Sequence, residues 1–557
     1  EVHMFSPTLV LNFRYGVTQQ EFLERRVSQG FDLASLAFAP AFVSLYPKAQ
    51  SAVPNVSVGS LTALSQSESG DGLASSISHT FTGNFSWMKG NHNVRFGPEF
   101  RVYRVFSDRH SVDSAPILNF NNLWGRGPND NSTAPPVGGE LTALLLGIPG
   151  GNGLRSGSFA QQDTYFAFYV QDDWKLTRKL TLNVGLRLEH ESPVTERFNR
   201  SAIHFLGDQP NPISARAIAN YARSPIPELP AANFKINGGL TFAGAGGNPR
   251  EFWEGQAIAF LPRIGLAYQL NPKTVIRTGY GVFYGSLGAF KVTSQLAGFS
   301  LSTPIEPTSD NGLTFKTKLS NPLPNGLLTP LGAAGGMETY LGLGVNFFPN
   351  SRKQPYGQRW SFGLQRQLPG SFMVESSYVG SRGTRVAINR NLNYIPAQYL
   401  STTPYRDQAT IDYLGAQFTS PLYGLNPQYT SRTMSRGGLL QGYPHFGAVN
   451  LSDSVGYSWY HSLQSRLDKR LTKGLTLQMS WTWSRAMDAT QFRNASDPMP
   501  VKSLADIDRA QRFTGSGIYE LPFGKGRKWG AGMPKVLEFF AGGWQISGAW
   551  QRQSGQP

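Results

Sequence analysis

The sequence has no cysteine among its 557 residues. That excludes disulfide frameworks, thiol catalysis and cysteine-ligated metal. Charge is also scarce. Asp, Glu, Lys and Arg make up 15% of the chain, against about 25% in ordinary soluble domains. No apolar run approaches the roughly 18 residues that a spanning helix needs. The longest greasy stretch, Leu141–Ile148, is far too short, and mean hydropathy is −0.29. Any membrane span must therefore be made of strands, because lipid tolerates only helices or closed barrels. No interior composition shift or Ser/Gly linker divides the chain.

Catalytic signatures are missing too. The eight histidines are dispersed, and no pair has His-Glu-x-x-His spacing. Ser381-Arg382-Gly383 and Gly515-Ser516-Gly517 only superficially resemble a nucleophile elbow, since neither is Gly-x-Ser-x-Gly. There is no phosphate-binding or dinucleotide-binding glycine loop. Gly279–Gly281 lies inside a strand-like run, where glycine marks a bulge or close packing. Asp172-Asp173 could suggest a metal pair, but the simpler reading is polar residues at a strand end, close to the short turn that follows. No enzyme is expected, with no catalytic, cofactor-binding or metal residues.

What the sequence does have is a rhythm. Five times, two alternating apolar/polar segments meet at a very short polar turn. The clearest turn is Lys473-Gly474. After it, Leu475, Leu477, Met479, Trp481 and Trp483 alternate with Thr476, Gln478, Ser480, Thr482 and Ser484. Side chains alternate across a strand, so such a segment has one greasy face and one wet face. A second pair turns at Thr177-Arg178-Lys179, ahead of Leu180, Leu182, Val184, Leu186 and Leu188. A third turns at Asn271-Pro272, between Phe260, Ile264, Leu266, Tyr268, Leu270 and Ile276, Tyr280, Val282, Tyr284. A fourth turns at Pro369-Gly370, between Trp360, Phe362, Leu364 and Phe372, Val374, Tyr378. A weaker fifth turns near Gly90-Asn91, between Phe81, Phe85, Trp87 and Val94, Phe96. A sixth candidate joins Thr514–Leu521 to Trp544–Trp550 through a longer connection.

Each short turn is followed by a long excursion, roughly residues 104–160, 191–258, 286–356, 384–457 and 487–511. Soluble sandwiches rarely put every long loop at one end. Loops above about 15 residues are uncommon in compact domains and usually functional. Short turns on one side and long loops on the other are the pattern of an outer-membrane β-barrel. Aromatics, at 12% of the chain, recur at strand ends: Tyr169 and Trp174, Tyr280 and Tyr284, Trp459 and Tyr460, Trp481 and Trp483. Such rings suit the girdles at the membrane–water interface. Segments 18–60 and 300–356 are the hardest to place and are expected to hold short extra strands.

The formal net charge is +16 and the pI about 9.8. A nucleic-acid binder would gather Lys and Arg on one face with interleaved aromatics. Here they are scattered over turns (Lys175, Arg178, Lys179, Lys473) and strand ends (Arg95, Arg101, Arg104), with one cluster at Lys525-Gly526-Arg527-Lys528. The charge is therefore expected to meet anionic lipid head groups and to line the lumen, where it would favour anionic solutes. No nucleic-acid partner is expected.

One set of motifs resembles a known family. Tyr169-Val170-Gln171-Asp172-Asp173-Trp174 followed by Leu180-Thr181-Leu182-Asn183-Val184-Gly185-Leu186-Arg187-Leu188-Glu189 resembles the barrel signature of TonB-dependent receptors. Pro262-Arg263-Ile264-Gly265, Arg277–Tyr284, Ser377–Gly383, Tyr460–Gln464 and Trp481–Ser484 follow in order. So do Tyr519-Glu520-Leu521-Pro522-Phe523-Gly524, Gly543-Trp544-Gln545 and Gln553–Pro557. The branch resembled is the Oar-like receptors common in acidobacterial genomes. The resemblance spans nearly the whole chain, and the shared order of motifs is more specific than any one of them.

The resemblance implies an all-β transmembrane antiparallel barrel, with residues 1–557 as a partial barrel domain: about 14 strands counted here out of a barrel of roughly 22. Neither the plug domain nor the TonB box of such receptors is visible. The start at Glu1 and the stop at Pro557 in mid-strand are read as the ends of an internal fragment. The implied activity is TonB-energised uptake of a large or scarce solute at the bacterial outer membrane. The implied partners are a TonB complex acting through the missing plug, outer-membrane lipid and lipopolysaccharide, and a small-molecule, oligosaccharide or peptide ligand. A passive porin-like channel and a surface adhesion or structural barrel are the alternatives. Loop aromatics Trp124, Tyr340, Tyr405, Tyr413 and Tyr423 could touch ligand, although packing among the loops themselves accounts for any one of them. No substrate-binding residue is assigned.

Overall fold

The computed structural model describes residues 1–49, 51–59, 61, 63, 71–110, 115–122, 138–308 and 314–556. Its main feature is one sheet of 17 strands. Three short ones, Thr195–Glu196, Val345–Phe347 and Ser503–Leu504, belong to the long connections. The other 14 follow one another in chain order, each antiparallel to the last. They are β1 (Val2–Ser6), β2 (Leu9–Glu24), β3 (Asp71–Lys89), β4 (His92–His110), β5 (Phe159–Lys175), β6 (Leu180–Glu191) and β7 (Ala259–Asn271). Then come β8 (Thr274–Tyr284), β9 (Tyr356–Leu368), β10 (Phe372–Asn391), β11 (Val449–Thr472), β12 (Leu475–Ala489), β13 (Gln511–Glu520) and β14 (Gln545–Gln553). All five expected hairpins form. The sixth forms as well, through a connection carrying a short helix, Lys535–Ala541.

Register decides which face each residue takes. Phe81 opposes Phe100, which opposes Phe166; Ile264 lies between Val184 and Tyr280, and Phe362 opposes Tyr378. These rings and aliphatics share one face, and many are exposed. In the alternate rows, Glu99, Arg187, Gln464 and Thr482 share the other. An exposed greasy face opposite a polar one is what lipid outside and water inside require. Two of the expected girdle residues are corrected by this register. Tyr169 and Tyr460 lie on the wet face, and the Tyr169 hydroxyl donates to Asn84 Oδ1 at 2.8 Å. Trp174, Tyr280, Tyr284, Trp459, Trp481 and Trp483 lie on the greasy face.

Three of the short turns use left-handed backbone, at Gly90, at Gly370-Ser371 and at Lys473-Gly474. Lys473 and Gly474 have φ of 53° and 77°, the positive pair that a two-residue type I′ hairpin turn needs. The long connections leave from the opposite end. They begin later than the sequence suggests, because β4 continues to His110, β10 to Asn391, and β11 starts at Val449. Beyond the lipid no greasy face is needed, so the pattern fades while the ladder continues. The hard-to-place segments do hold short strands: Asn55–Val58, Leu301–Pro304 and Val345–Phe347. The greasy stretch near Leu141 is a helix, Gly139–Leu145. Among the described residues no helix is long and apolar enough to cross a membrane.

Among the described residues, the long connections pack into a cap with three hydrophobic cores. The largest joins Ile213, Ala217, Tyr221 and Phe234 from residues 192–258 to Leu341 and Val345 from 285–355 and to Leu422, Leu439 and Phe446 from 392–448. A second joins Leu33, Phe42 and Val58 to Leu118, Phe120 and Ile305. A four-stranded sheet crosses three of the connections, in the order Leu301–Pro304, Gly150–Arg155, Ile117–Phe120, Asn55–Val58. The cap is tied to the wall where Val345–Phe347 pairs in parallel with Val449–Leu451 of β11.

Candidate functional site

The wet face of β4, β5 and β6 carries an ionic network. Arg187 Nη2 donates to Glu99 Oε2 at 2.5 Å and to the Tyr165 hydroxyl at 2.9 Å, while its Nε donates to Glu189 Oε1 at 2.6 Å. Arg101 Nε donates to Glu99 Oε1, and its Nη1 donates to the Tyr103 hydroxyl at 2.8 Å. Alternation alone brings these groups together: Glu99, Arg101, Tyr165, Arg187 and Glu189 all occupy inward positions of neighbouring strands. Charges here are compensated, which suits a polar wall that must not collapse.

On the next three strands the balance changes. Arg263 of β7, Gly281 of β8 and Arg359 of β9 stand in one register row. Two positions along, Phe283 folds back over Gly281, where a side chain would meet its ring at 3.1 Å. The Arg263 and Arg359 guanidiniums lie 4.8 Å and 5.8 Å from that ring. Both arginines are exposed, and neither has a carboxylate partner among the described residues. Arg263 also lines a cleft of about 250 Å³ with Glu99, Tyr169 and Arg187. Two cations held against one aromatic ring, neither in an ion pair, can bind an anion through bidentate hydrogen bonds. No site was assigned from sequence, yet a signal was present. Arg263 and Arg359 both fall on wet positions of hairpins already recognised. The glycine run 279–281 shows no bulge; instead, Gly281 makes room for Phe283.

At the cap end, residues 286–294 are fastened over the wet face. Asp163 Oδ1 accepts the Ala289 amide at 2.7 Å, and Glu191 accepts the Leu287 amide at 2.7 Å and the Ser286 hydroxyl at 2.5 Å. Gln161 donates to the carbonyls of Ala289 and Val292 and accepts from the Ser294 amide at 2.9 Å. The segment overhangs a cleft of about 630 Å³ lined by Thr18, Gln20, Ser76, Ser78, Phe290 and Lys291.

The sequence-derived candidates separate. Trp124 lies outside the described residues. Tyr340 packs against the largest cap core. Tyr413 donates to Glu228 and stacks 3.9 Å under Arg436; the Tyr413 hydrogen bond, with Arg436 nearby, holds the Glu228 carboxyl below its usual range. Tyr423 lies 5.1 Å from Arg432. Tyr405 is 83% exposed. Asp172 and Asp173 sit near the short-turn end, as the simpler reading held: His92 Nδ1 lies 2.6 Å from Asp172, and Asp173 accepts from Arg95 at 3.4 Å and from Asn183. Among the described residues no three His, Asp or Glu side chains are grouped to hold a metal.

Among curated proteins none is significantly similar to the chain. Several solved structures are. The FrpB iron transporter from Neisseria meningitidis (F3-3 variant) is 11% identical, with 81% of this chain and 42% of that one covered and a TM-score of 0.35. The ferric-catecholate import receptor Fiu from E. coli K12 is 12% identical, with 93% and 50% covered and a TM-score of 0.38. The ferripyoverdine receptor of the Pseudomonas aeruginosa outer membrane is 9% identical, with 92% and 42% covered and a TM-score of 0.38. The chain thus spans half or less of these proteins' lengths. The architecture rests on the strand pairing and on a family match that takes in residues 1–557. By that match the chain belongs to the outer membrane beta barrel domain family, and its place is the bacterial outer membrane.

Proposed function

We propose that residues 1–557 form part of the barrel and cap of an outer-membrane receptor that takes up a large or scarce anionic solute, energised by a TonB complex acting on a plug domain. The observation that carries the anionic preference is the Arg263–Phe283–Arg359 arrangement on the wet face. Cations without local counter-ions in a confined aqueous wall raise the local concentration of anions. The ordered motifs that resemble Oar-like receptors support the coupling to TonB. The cap, whose cores hold the long connections together as an outer surface, supports the receptor reading. On this reading Tyr405, exposed on that surface, is available to a ligand, whereas Tyr340, Tyr413 and Tyr423 serve the cap's own packing. Lipid and lipopolysaccharide contact the greasy face.

The test is uptake of anionic candidate solutes by cells expressing the full-length protein, with and without a functional TonB system. Uptake that needs TonB and falls in an Arg263→Gln/Arg359→Gln double variant is the expected outcome. Flux that persists without TonB would mean a passive channel. Loss of surface attachment with no uptake defect would mean an adhesion or structural barrel.

A further inference from the structure

One connection at the short-turn end is unlike the rest. Residues 521–544, between β13 and β14, form an arm that carries the helix Lys535–Ala541. Its apolar side chains are turned outward: Val536 is 70% exposed, Phe539 82% and Phe540 68%. At helical spacing these three lie on one face with Leu537 beside them. The opposite face is used by the protein, since the Glu538 carboxylate accepts the Lys525 amide through both oxygens at 2.8 Å.

The arm's position is fixed by the wall. Tyr519 pairs with Ile546 on the greasy face, so the next outward pair is Leu521 with Trp544, whose backbones are bonded at 2.8 Å. Trp544 Nε1 donates to the Phe540 carbonyl at 2.6 Å. The helix is thus tethered to an outward-facing tryptophan, on the lipid side of the wall and at its periplasmic end. Its surroundings are basic: Lys525, Arg527, Lys528 and Lys535 against Glu538 within residues 521–544, with Arg527 Nη1 paired at 2.9 Å to Glu520 at the end of β13. Lys528 lies over the Trp529 ring at 5.2 Å, an aromatic–cation pair suited to an interface.

We propose that this arm is an interfacial anchor, with the Val536–Phe539–Phe540 face laid into the periplasmic leaflet and its lysines on anionic phospholipid head groups. Charge complementarity selects this occupant. An apolar helical face flanked by basic residues is the arrangement that binds an anionic bilayer surface, with the apolar side about 5–10 Å into the head-group boundary.

The absence of cysteine allows a direct test. Single substitutions Phe539→Cys, Glu538→Cys and Leu364→Cys are made in the full chain, and each thiol is labelled with an environment-sensitive dye. The proteins are reconstituted in vesicles of zwitterionic phospholipid with or without anionic phospholipid. Preparations are used in which Leu364→Cys, on the greasy wall, is quenched by acyl-brominated lipid. The expected result is quenching and a blue shift at Phe539→Cys close to those at Leu364→Cys, stronger with anionic lipid, and little change at Glu538→Cys. Three results would overturn the proposal. The first is an unquenched dye at Phe539→Cys. The second is equal quenching at positions 538 and 539. The third is a Phe539→Cys signal that grows with protein-to-lipid ratio and shows dye excimers, which would identify a second copy of the chain as the occupant.

Discussion

The wall and the cap hold themselves together by different means. The wall has almost no buried hydrophobic side chains, since its greasy residues face outward and its inward residues are polar. Its order comes from continuous backbone ladders and from the ionic network around Arg187. In the cap the buried residues are ordinary core residues, such as Phe42, Phe252, Ile213 and Leu341. The cap is therefore a globular core distributed over separate connections, resting on a structure that has its hydrophobic surface on the outside. One chain follows two solvent rules, and they change where β4, β10 and β11 rise beyond their greasy stretches.

The sharpest way to break this comparison is to remove a core residue from the cap alone. Phe252, fully buried and stacked 6.0 Å from Phe348, is expected to cost about 3–5 kcal/mol of cap stability on substitution by Ala. The wall should remain, so protease should cut residues 192–258 while the heat-resistant barrel band persists on a gel. The converse change is Leu186→Arg, near the middle of the greasy face of β6. It is expected to cost about 2–4 kcal/mol of folding into bilayers, measured by urea titration in vesicles. The same arginine at Tyr405, exposed on the cap, should cost almost nothing.

A smaller effect tests the junction. Gln161→Ala removes the side chain that grips Ala289, Val292 and Ser294. It should cost roughly 1–3 kcal/mol locally and raise protease cleavage near Lys291, with wall and cap cores intact. A further effect on the cap is set by pH. His445 is fully buried in the cap, with Nε2 3.2 Å from the Gly238 carbonyl, and burial pulls its pKa down from 6.5 to about 4. Below the unfolded value the unfolded state binds the extra proton, so cap stability falls as pH drops from about 6.5 toward 4 and levels off below. Hydrogen exchange in residues 392–448 should report this, and His445→Asn should flatten it while leaving exchange in the wall unaltered.

The same contrast explains what the sequence revealed. Alternation is local, so Leu475–Trp483 and Leu180–Leu188 disclose both strand and outward face. The turn Lys473-Gly474 is equally local. The strand extensions Arg104–His110 and Thr384–Asn391 were hidden because, above the lipid, no face has to be greasy. The cap cores were hidden because Ala202, Leu341 and Leu439 meet only in three dimensions, and no period in any one connection marks them. The site lies between these cases. Each of Arg263, Phe283 and Arg359 is on a predictable face, but their meeting depends on the register of three strands, which alternation fixes only modulo two residues.

The shared cores of the cap also impose an order of events. Its largest core draws on connections beginning near residues 192, 285 and 392, so it is complete only when all three are in place. The core closes only when the strands that separate these connections in the chain have brought them together. Closing contacts of such long sequence separation is intrinsically slow. Burial of Ile213, Leu341 and Leu439 together would thus mark the moment at which insertion of this part of the wall is finished.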